Sequence, residues 1–196
     1  MSKIGKINIT IPEKVKVAMN GNIINIDGPV GKKTLNIDTD MFDLNIKEGK
    51  EISIKPKKIN DVTKRLWGMN RSLLNNAIIG ASSGYEKTLE LSGVGFRAAL
   101  KENKLNLQLG YSHDINFDIP VGIKIIVEKQ TTIKISGSDK QLVGMVTSKI
   151  KSLKPPEPYK GKGIKETGQY VLRKEGKKKW WSLPKKKEKD LELKIN

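Results

Sequence analysis

Residues 66–72, LWGMNRS, come back as residues 142–148, LVGMVTS, with four identities in seven positions. Both stretches sit in runs of helical periodicity. In the first, Leu66, Met69, Leu73, Leu74, Ala77 and Ile78 recur across Asp61 to Ile79 without a proline. Asp61 is the expected N-cap of that helix and Gly80 its expected stop. The second helix is expected from about Asp139 to Leu153, capped by Ser138 or Asp139. Pro155-Pro156, just past Leu153, bar any further helical turn.

Working outward, each helix comes after a series of short alternating segments. Val15, Val17 and Met19 alternate, Asn20-Gly21 supplies the positive φ of a tight hairpin turn, and Ile24 and Ile26 come after it. The pairs Leu35/Ile37, Leu44/Ile46 and Ile52/Ile54 continue the series, separated by Gly, Pro or Asp breaks. This reads as an antiparallel meander with one buried face. The second series runs Leu89/Leu91, Phe96/Ala98, Leu105/Leu107/Leu109, Ile115/Phe117/Ile119, Ile123/Ile125/Val127 and Ile133/Ile135. The same order of elements occurs twice, which indicates an internal duplication. The expected fold is α+β: two tandem similar domains, residues 1–82 and 83–153, each an antiparallel sheet packed against one helix. A basic C-terminal extension, residues 154–196, completes the chain.

Charge points to the partner. Lys and Arg number 38 against 21 acids, a formal net charge of +17. Residues 151–196 hold 15 basic and 6 acidic residues, so less than a quarter of the chain carries over half of the excess. Such a balance calls for a polyanion, because each phosphate neutralised releases a counterion. No apolar run approaches the ~20 residues of a membrane-spanning helix, and no long basic amphipathic helix is evident. Nucleic acid is therefore favoured over a membrane surface. Hydrophobic residues make up 36% and aromatics 5%, which suits two compact aliphatic cores better than one broad one. The extension is too poor in aliphatics to build a core. Tyr170-Val171-Leu172 is expected as one short strand and the rest as extended chain until a partner orders it.

Other chemistries find little support. The chain has no cysteine, which excludes disulfides and thiolate metal sites. Its one histidine, His113, lies in the turn Gly110–Asp114 with no second titrating group at catalytic spacing. No carboxylate cluster has metal-ligand spacing. No catalytic residue, metal, cofactor or small-molecule substrate is expected, and no homo-oligomer. Gly28-Pro-Val-Gly31-Lys32-Lys33-Thr34 has only two residues between its glycines and a strand after it, so it reads as a hairpin turn rather than a phosphate loop. Asn8-Ile9-Thr10 and Asn70-Arg71-Ser72 match the glycosylation sequon, but MSKIGKINIT has neither a secretory core nor an Arg/Ser-rich presequence. With 34 Lys and 4 Arg, the coding is biased toward A/T-rich codons.

Two segments carry binding chemistry. In Gly93-Val-Gly95-Phe96-Arg97, two glycines inside a strand pattern indicate a bulge or a close backbone approach, with Arg97 beside it. The stronger segment is residues 154–165, KPPEPYKGKGIK. Its prolines stiffen the entry, and its glycines let backbone amides approach phosphates. Lys160, Lys162 and Lys165 supply charge, and Tyr159 can stack on a base. Arg173, Lys174, Lys177, Lys178, Lys179 and Trp180-Trp181 extend the same chemistry. Both a shaped site and a loosely binding basic tail are compatible with this segment.

The stretches SKIGK at 2–6, RSLLNN at 71–76, GYEKTLELSGVGFRA at 84–98, LGYSH at 109–113, SDKQLVG at 138–144, PPEPYKGKGIK at 155–165 and RKEGKKK at 173–179 resemble large-subunit ribosomal protein six of the bacterial type, across about residues 1–180. The resemblance implies two similar α+β domains. It also implies binding to large-subunit ribosomal RNA near the stalk base and the factor-binding region, beside neighbouring large-subunit proteins. Carried onto this chain, Lys154, Tyr159, Lys160, Gly161, Lys162, Gly163, Lys165, Arg173 and Lys174 become RNA contacts, with Lys177, Lys178, Arg97 and Lys140 beside them. Lys3, Lys6, Arg65 and Arg71 become weaker RNA contacts on a first domain that would face the factor side. The implied location is the ribosome of a bacterial cytoplasm or a mitochondrial matrix. Residues 180–196 extend beyond the pattern. A free RNA chaperone is the other class, which high-salt co-sedimentation would separate from a subunit component.

Overall fold

In a computed structural model of the chain, residues 2–47 and 50–176 are described. Six strands come first: β1 (Ile9–Thr10), β2 (Lys16–Asn20), β3 (Ile23–Asp27), β4 (Lys32–Asn36), β5 (Phe42–Lys47) and β6 (Glu51–Pro56). Helix α1 (Asp61–Ser82) closes this half. The second half has β7 (Tyr85–Ser92), β8 (Arg97–Lys101), β9 (Lys104–Gln108), β10 (Ile115–Asp118), β11 (Ile123–Glu128) and β12 (Thr132–Gly137), then α2 (Lys140–Leu153). A last strand, β13 (Gly163–Glu166), lies in the extension.

The duplication extends to pairing. Each half contains not one meander but two small antiparallel sheets: β1-β6-β5 with β2-β3-β4, and β7-β12-β11 with β8-β9-β10. Single hydrogen bonds repeat as well. Ile11 N–H donates to Lys50 O and Leu91 N–H to Thr131 O, both at 2.7 Å. Ile37 N–H donates to Asn22 O as Ile119 N–H does to Asn103 O. The expected class, α+β with two similar halves, holds. The meander is corrected to a split sheet because the short first strand pairs with the last one, β6, rather than with its neighbour.

Each half has its own core. Ile9, Ile26, Phe42, Ile52, Leu74 and Ile78 anchor the first, and Leu89, Leu105, Leu107, Ile133, Ile135 and Ile150 the second. The duplicated helices bury equivalent positions: Trp67, Asn70 and Leu74 on α1 match Val143, Val146 and Ile150 on α2. Met69 and Leu73 face outward, 49% and 44% exposed, so the buried stripe is turned toward Trp67 relative to the one read from spacing.

Local signals differ in detail from expectation. The two loop residues of the first hairpin are Gly21-Asn22, and only Gly21 has positive φ (60°), the pattern of a turn with glycine at its first central position. The duplicated hairpin places Glu102 at that point with φ 50°. Asn60, not Asp61, is the N-cap of α1. Its N–H donates to Thr63 Oγ1 (2.8 Å), and the Thr63 hydroxyl donates back to Lys58 O (2.8 Å). Asp139 caps α2, accepting from Gln141 N–H (3.1 Å).

Gly80 does not end α1. The helix runs through it to Ser82, and Gly84 (φ 75°) stops it, its N–H donating to Ile79 O. What Gly80 provides is room at the joint between the halves: a Cβ there would sit 2.0 Å from Ser138 O. The β3–β4 turn packs into the same joint. Val30 N–H donates to Ala81 O (3.1 Å), a Cβ on Gly31 would come 2.9 Å from the Ser138 side chain, and Lys33 Nζ forms an ion pair with Asp139. Tyr85 adds its hydroxyl to Asn76 O (3.0 Å) under Lys140, and burial raises its pKa above the ordinary 10.0.

Two glycines on equivalent helices should therefore respond in opposite directions. Gly80→Ala forces its methyl against a backbone carbonyl and is expected to destabilise the protein by roughly 1–3 kcal/mol. Gly144→Ala, on α2 with nothing within 4 Å of the added carbon, should be neutral or stabilise by up to about 1 kcal/mol. Urea unfolding midpoints of the two variants decide between this and a view of Gly80 as an ordinary helix residue.

Candidate nucleic-acid interface

The residues after α2 form a built loop, not a loose tail. Lys154 leaves the helical conformation (φ −149°, ψ 85°), and the two prolines cannot return to it. The loop closes on itself: Gly161 N–H donates to Glu157 O (2.9 Å), and Glu157 N–H to Lys162 O (2.8 Å). Gly161 takes φ 71°. At Gly163 a Cβ would lie 2.6 Å from Pro155 O, so only glycine lets the chain pass the proline pair.

Strand β13 then pairs antiparallel with β7, from Gly163 opposite Ser92 to Glu166 opposite Leu89. Ile164 is fully buried in the second core. This corrects the expectation that the extension contributes no core and that its strand lies at Tyr170-Val171-Leu172. Those three residues form no strand, and Tyr170 and Leu172 are 83% and 69% exposed. An isolated apolar residue between glycine and lysine gives no period-two signal, so Ile164 is not legible as a core residue.

Ion pairs fix the strand from its sides. Glu90 accepts from Lys165 (3.1 Å) and from the Thr167 hydroxyl (3.2 Å). Glu166 accepts from Lys87 (3.1 Å) and Lys151 (3.5 Å). The Lys165 hydrogen bond holds the Glu90 carboxyl below its ordinary pKa, with Thr167 adding to it, and the Lys87 hydrogen bond does the same for Glu166. Past β13 the chain turns at Gly168 (φ 81°) and runs back until Lys174 N–H donates to Pro158 O (2.8 Å). Arg173 thereby packs on the bare face of Gly161, its Nε 3.2 Å from where a Cβ would stand.

The fold therefore gathers Tyr159, Lys160, Gly161, Lys162, Arg173 and Lys174 around one loop. Lys160, Lys162, Arg173 and Lys174 are exposed and make no ion pair among the described residues, and Tyr159 is 55% exposed. Beside them opens a cavity of about 330 Å³, lined by Ser92, Gly161, Lys165, Gln169, Tyr170 and Arg173. Exposed cations beside two open aromatic rings are chemistry suited to an unpaired RNA strand. Lys154 is held at the root, its Nζ 4.4 Å from the Tyr111 ring centroid, while the Tyr111 hydroxyl donates to Leu153 O (3.0 Å).

Other expected residues lie apart. Gly163 serves the strand, and Lys165 pairs with Glu90 while lining the cavity beside the loop. Lys140 begins α2, roughly 20 Å from Lys154 at 1.5 Å per residue, and it contacts Tyr85 and Asn76 Oδ1 (3.4 Å) at the joint. Arg97 is exposed on β8. It comes after not a strand bulge but the turn from β7 to β8, where Gly93 makes room for the Phe96 ring and Gly95 takes φ 78°. Arg65 Nε donates to Asp61 O and Arg71 Nε to Ile7 O, both 3.3 Å, and Lys3 and Lys6 are exposed near the N-terminus. Lys177, Lys178, Lys179, Trp180 and Trp181 lie outside the described residues. His113 lies exposed in the β9–β10 loop as expected, and Gly28–Thr34 is a hairpin whose Gly28 N–H donates to Gly31 O (3.2 Å). Among the described residues no helix is long and apolar enough to cross a membrane.

The family described as Ribosomal protein L6 matches residues 92–167. Proteins named large ribosomal subunit protein uL6 from Beijerinckia indica and Phenylobacterium zucineum are each 45% identical to this chain, over 179 and 180 residues. One from Magnetococcus marinus is 42% identical over 179 residues. Each alignment covers 91% of this chain and 100% of the relative.

The paired glutamates set a pH limit on the arm. A lowered pKa contributes stability that is complete above the ordinary value of 4.5 and is lost as pH falls through the lowered one. The Ile164 methyl NMR signals should hold their core position above about pH 4.5 and shift as β13 loosens below it. Glu90→Gln should release the strand at higher pH than the native chain. Signals indifferent to acid down to global unfolding would mean that packing alone holds β13.

Proposed function

Because the chain belongs to the ribosomal protein L6 family, we propose that it is a structural constituent of the large ribosomal subunit, binding large-subunit ribosomal RNA near the stalk base and the translation-factor-binding region. The observation that carries this reading is the loop at residues 157–162, locked by backbone hydrogen bonds and backed by Arg173. Its open side presents Tyr159 and four cations that make no ion pair among the described residues. The mechanism is electrostatic and geometric. A preformed loop loses little conformational entropy on docking, so more of the counterion release from each phosphate contact remains as affinity. Arg97 and Lys140 extend the contact at a distance from it.

In this reading the protein performs no catalysis and takes no cofactor, small-molecule substrate or membrane. It acts as one copy among neighbouring large-subunit proteins. Its relatives are bacterial, which favours ribosomes of a bacterial cytoplasm over a mitochondrial matrix. We divide the chain into domains at 1–82 and 83–153, with residues 154–196 as the RNA-binding extension. Strand β13 is the part of that extension that completes the second domain.

Residue roles separate by substitution rather than truncation, since cutting after Leu153 also removes Ile164 from a core. Binding of the full chain to large-subunit ribosomal RNA across a salt series should show Lys160→Ala, Lys162→Ala and Arg173→Ala together reducing the slope of log K against log salt by about 2, at ~0.7–0.9 per phosphate contact. Lys165→Ala, whose ammonium faces Glu90, should change the slope by well under one contact. Equal slopes for the triple variant and the native chain would remove the loop from the RNA interface.

A further inference from the structure

The first half has a surface that RNA binding does not explain. A groove of about 300 Å³ opens beside α1, with Ile54 and Trp67 as its floor and Gly5, Lys6, Pro56 and Ile59 among its walls. It is apolar by construction. Trp67 Nε1 donates to Ile54 O (2.7 Å), which turns the one polar atom of the indole inward. Gly5 lies flat on the ring, where a Cβ would come 2.6 Å from it. Ile59 stands 58% exposed at the wall, and Ile4 and Ile7, which flank Gly5 and Lys6, are 53% and 58% exposed. Exposed apolar side chains gathered beside a groove are the kind of surface that contacts another molecule.

The rim is cationic. Lys6 and Lys55 line the groove, and Lys3 and Lys58 are adjacent in sequence. All four are exposed and make no ion pair among the described residues. The acids nearby in the chain are engaged: Asp43 with Lys57 (3.6 Å), Asp61 with Lys64 (2.9 Å), and Glu51 as acceptor from Asn8 Nδ2 (3.1 Å). An RNA strand would use the lysines and leave the isoleucines without gain. It also finds no ring to stack on, since Trp67 is only 7% exposed beneath Gly5. A segment that is acidic and carries an apolar anchor uses both features.

We propose that this groove docks an acidic segment of another protein through one inserted aliphatic or aromatic side chain. The anchor buries Ile59 against the groove floor, and acidic residues on either side of it meet Lys6 and Lys55. Such an interface would be fast to form and salt-sensitive, with its dissociation rate set by the anchor. It is independent of how the C-terminal loop binds RNA.

The test uses the full chain and a display library of ten-residue random peptides. Enriched peptides should combine Asp or Glu with a single Leu, Ile, Phe or Trp. A labelled representative should perturb the Trp67 resonance of 5-fluorotryptophan protein, bind about tenfold more weakly to Ile59→Ser, and lose affinity and salt dependence with Lys6→Glu. Both substitutions are at exposed positions, so unchanged unfolding midpoints serve as the folding control. The proposal is overturned if no enriched peptide depends on Ile59. Equal binding by peptides whose apolar residue is replaced with Ser would overturn it as well. So would a twelve-residue uridine oligonucleotide that displaces the peptide or itself perturbs Trp67, which would make this an RNA face.

Discussion

The path of the described part of the C-terminal extension depends on one pairing, that of β13 with β7. Four register pairs and one buried isoleucine convert a basic segment into a fourth strand of a sheet. Among the described residues, this strand is the one place where the extension enters a core, and it lies between the proline-stiffened loop and the return of the chain through Arg173. Without it the loop would still be cationic, but its lysines would sample many arrangements and each phosphate contact would carry an ordering cost. Among the described residues the pairing also has no counterpart in the first half, where β1 ends its sheet. The duplication supplied a sheet edge, and the extension occupies it in the second copy.

The two halves also meet through a set of close contacts. Gly80 and Gly31 both abut Ser138, Lys33 pairs with Asp139, and the Tyr85 hydroxyl reaches the α1 backbone. Of these contacts, the one at Gly80 sets a missing Cβ against a backbone carbonyl, which cannot yield by changing rotamer.

The parts legible in the sequence are those governed by period and composition. The strands other than β1 and β13, both helices, the two cores and the duplication emerge from alternating Val, Ile and Leu residues and from the repeated LxGMxxS. What escapes is set by tertiary contact. Gly80 resembles a helix stop because glycine commonly is one, yet its role is steric and lies across the joint. Met69 and Leu73 fit the helical period as well as Trp67 and Asn70 do, and only the position of the sheets decides which stripe is buried. The Glu90 and Glu166 anchors are invisible because their lysine partners come from β7, α2 and β13, far apart in the chain. Arg173 is recognisable as a charge, but its seat on Gly161 requires the return turn at Gly168.

The charge excess itself sorts into two populations with different consequences. Lys33, Lys57, Lys64, Lys87, Lys134, Lys151 and Lys165 face acids within the fold, where they set register and hold the joint and the arm. Lys160, Lys162, Arg173 and Lys174 have no such partner among the described residues, and they converge because of the backbone path rather than because of their number. A net charge of +17 alone would favour binding to any polyanion. Selectivity requires that the unpaired cations be few, fixed and backed by a surface of defined shape. The acids inside the fold thus separate lysines that hold the structure from the loop cations, which the backbone path leaves exposed side by side.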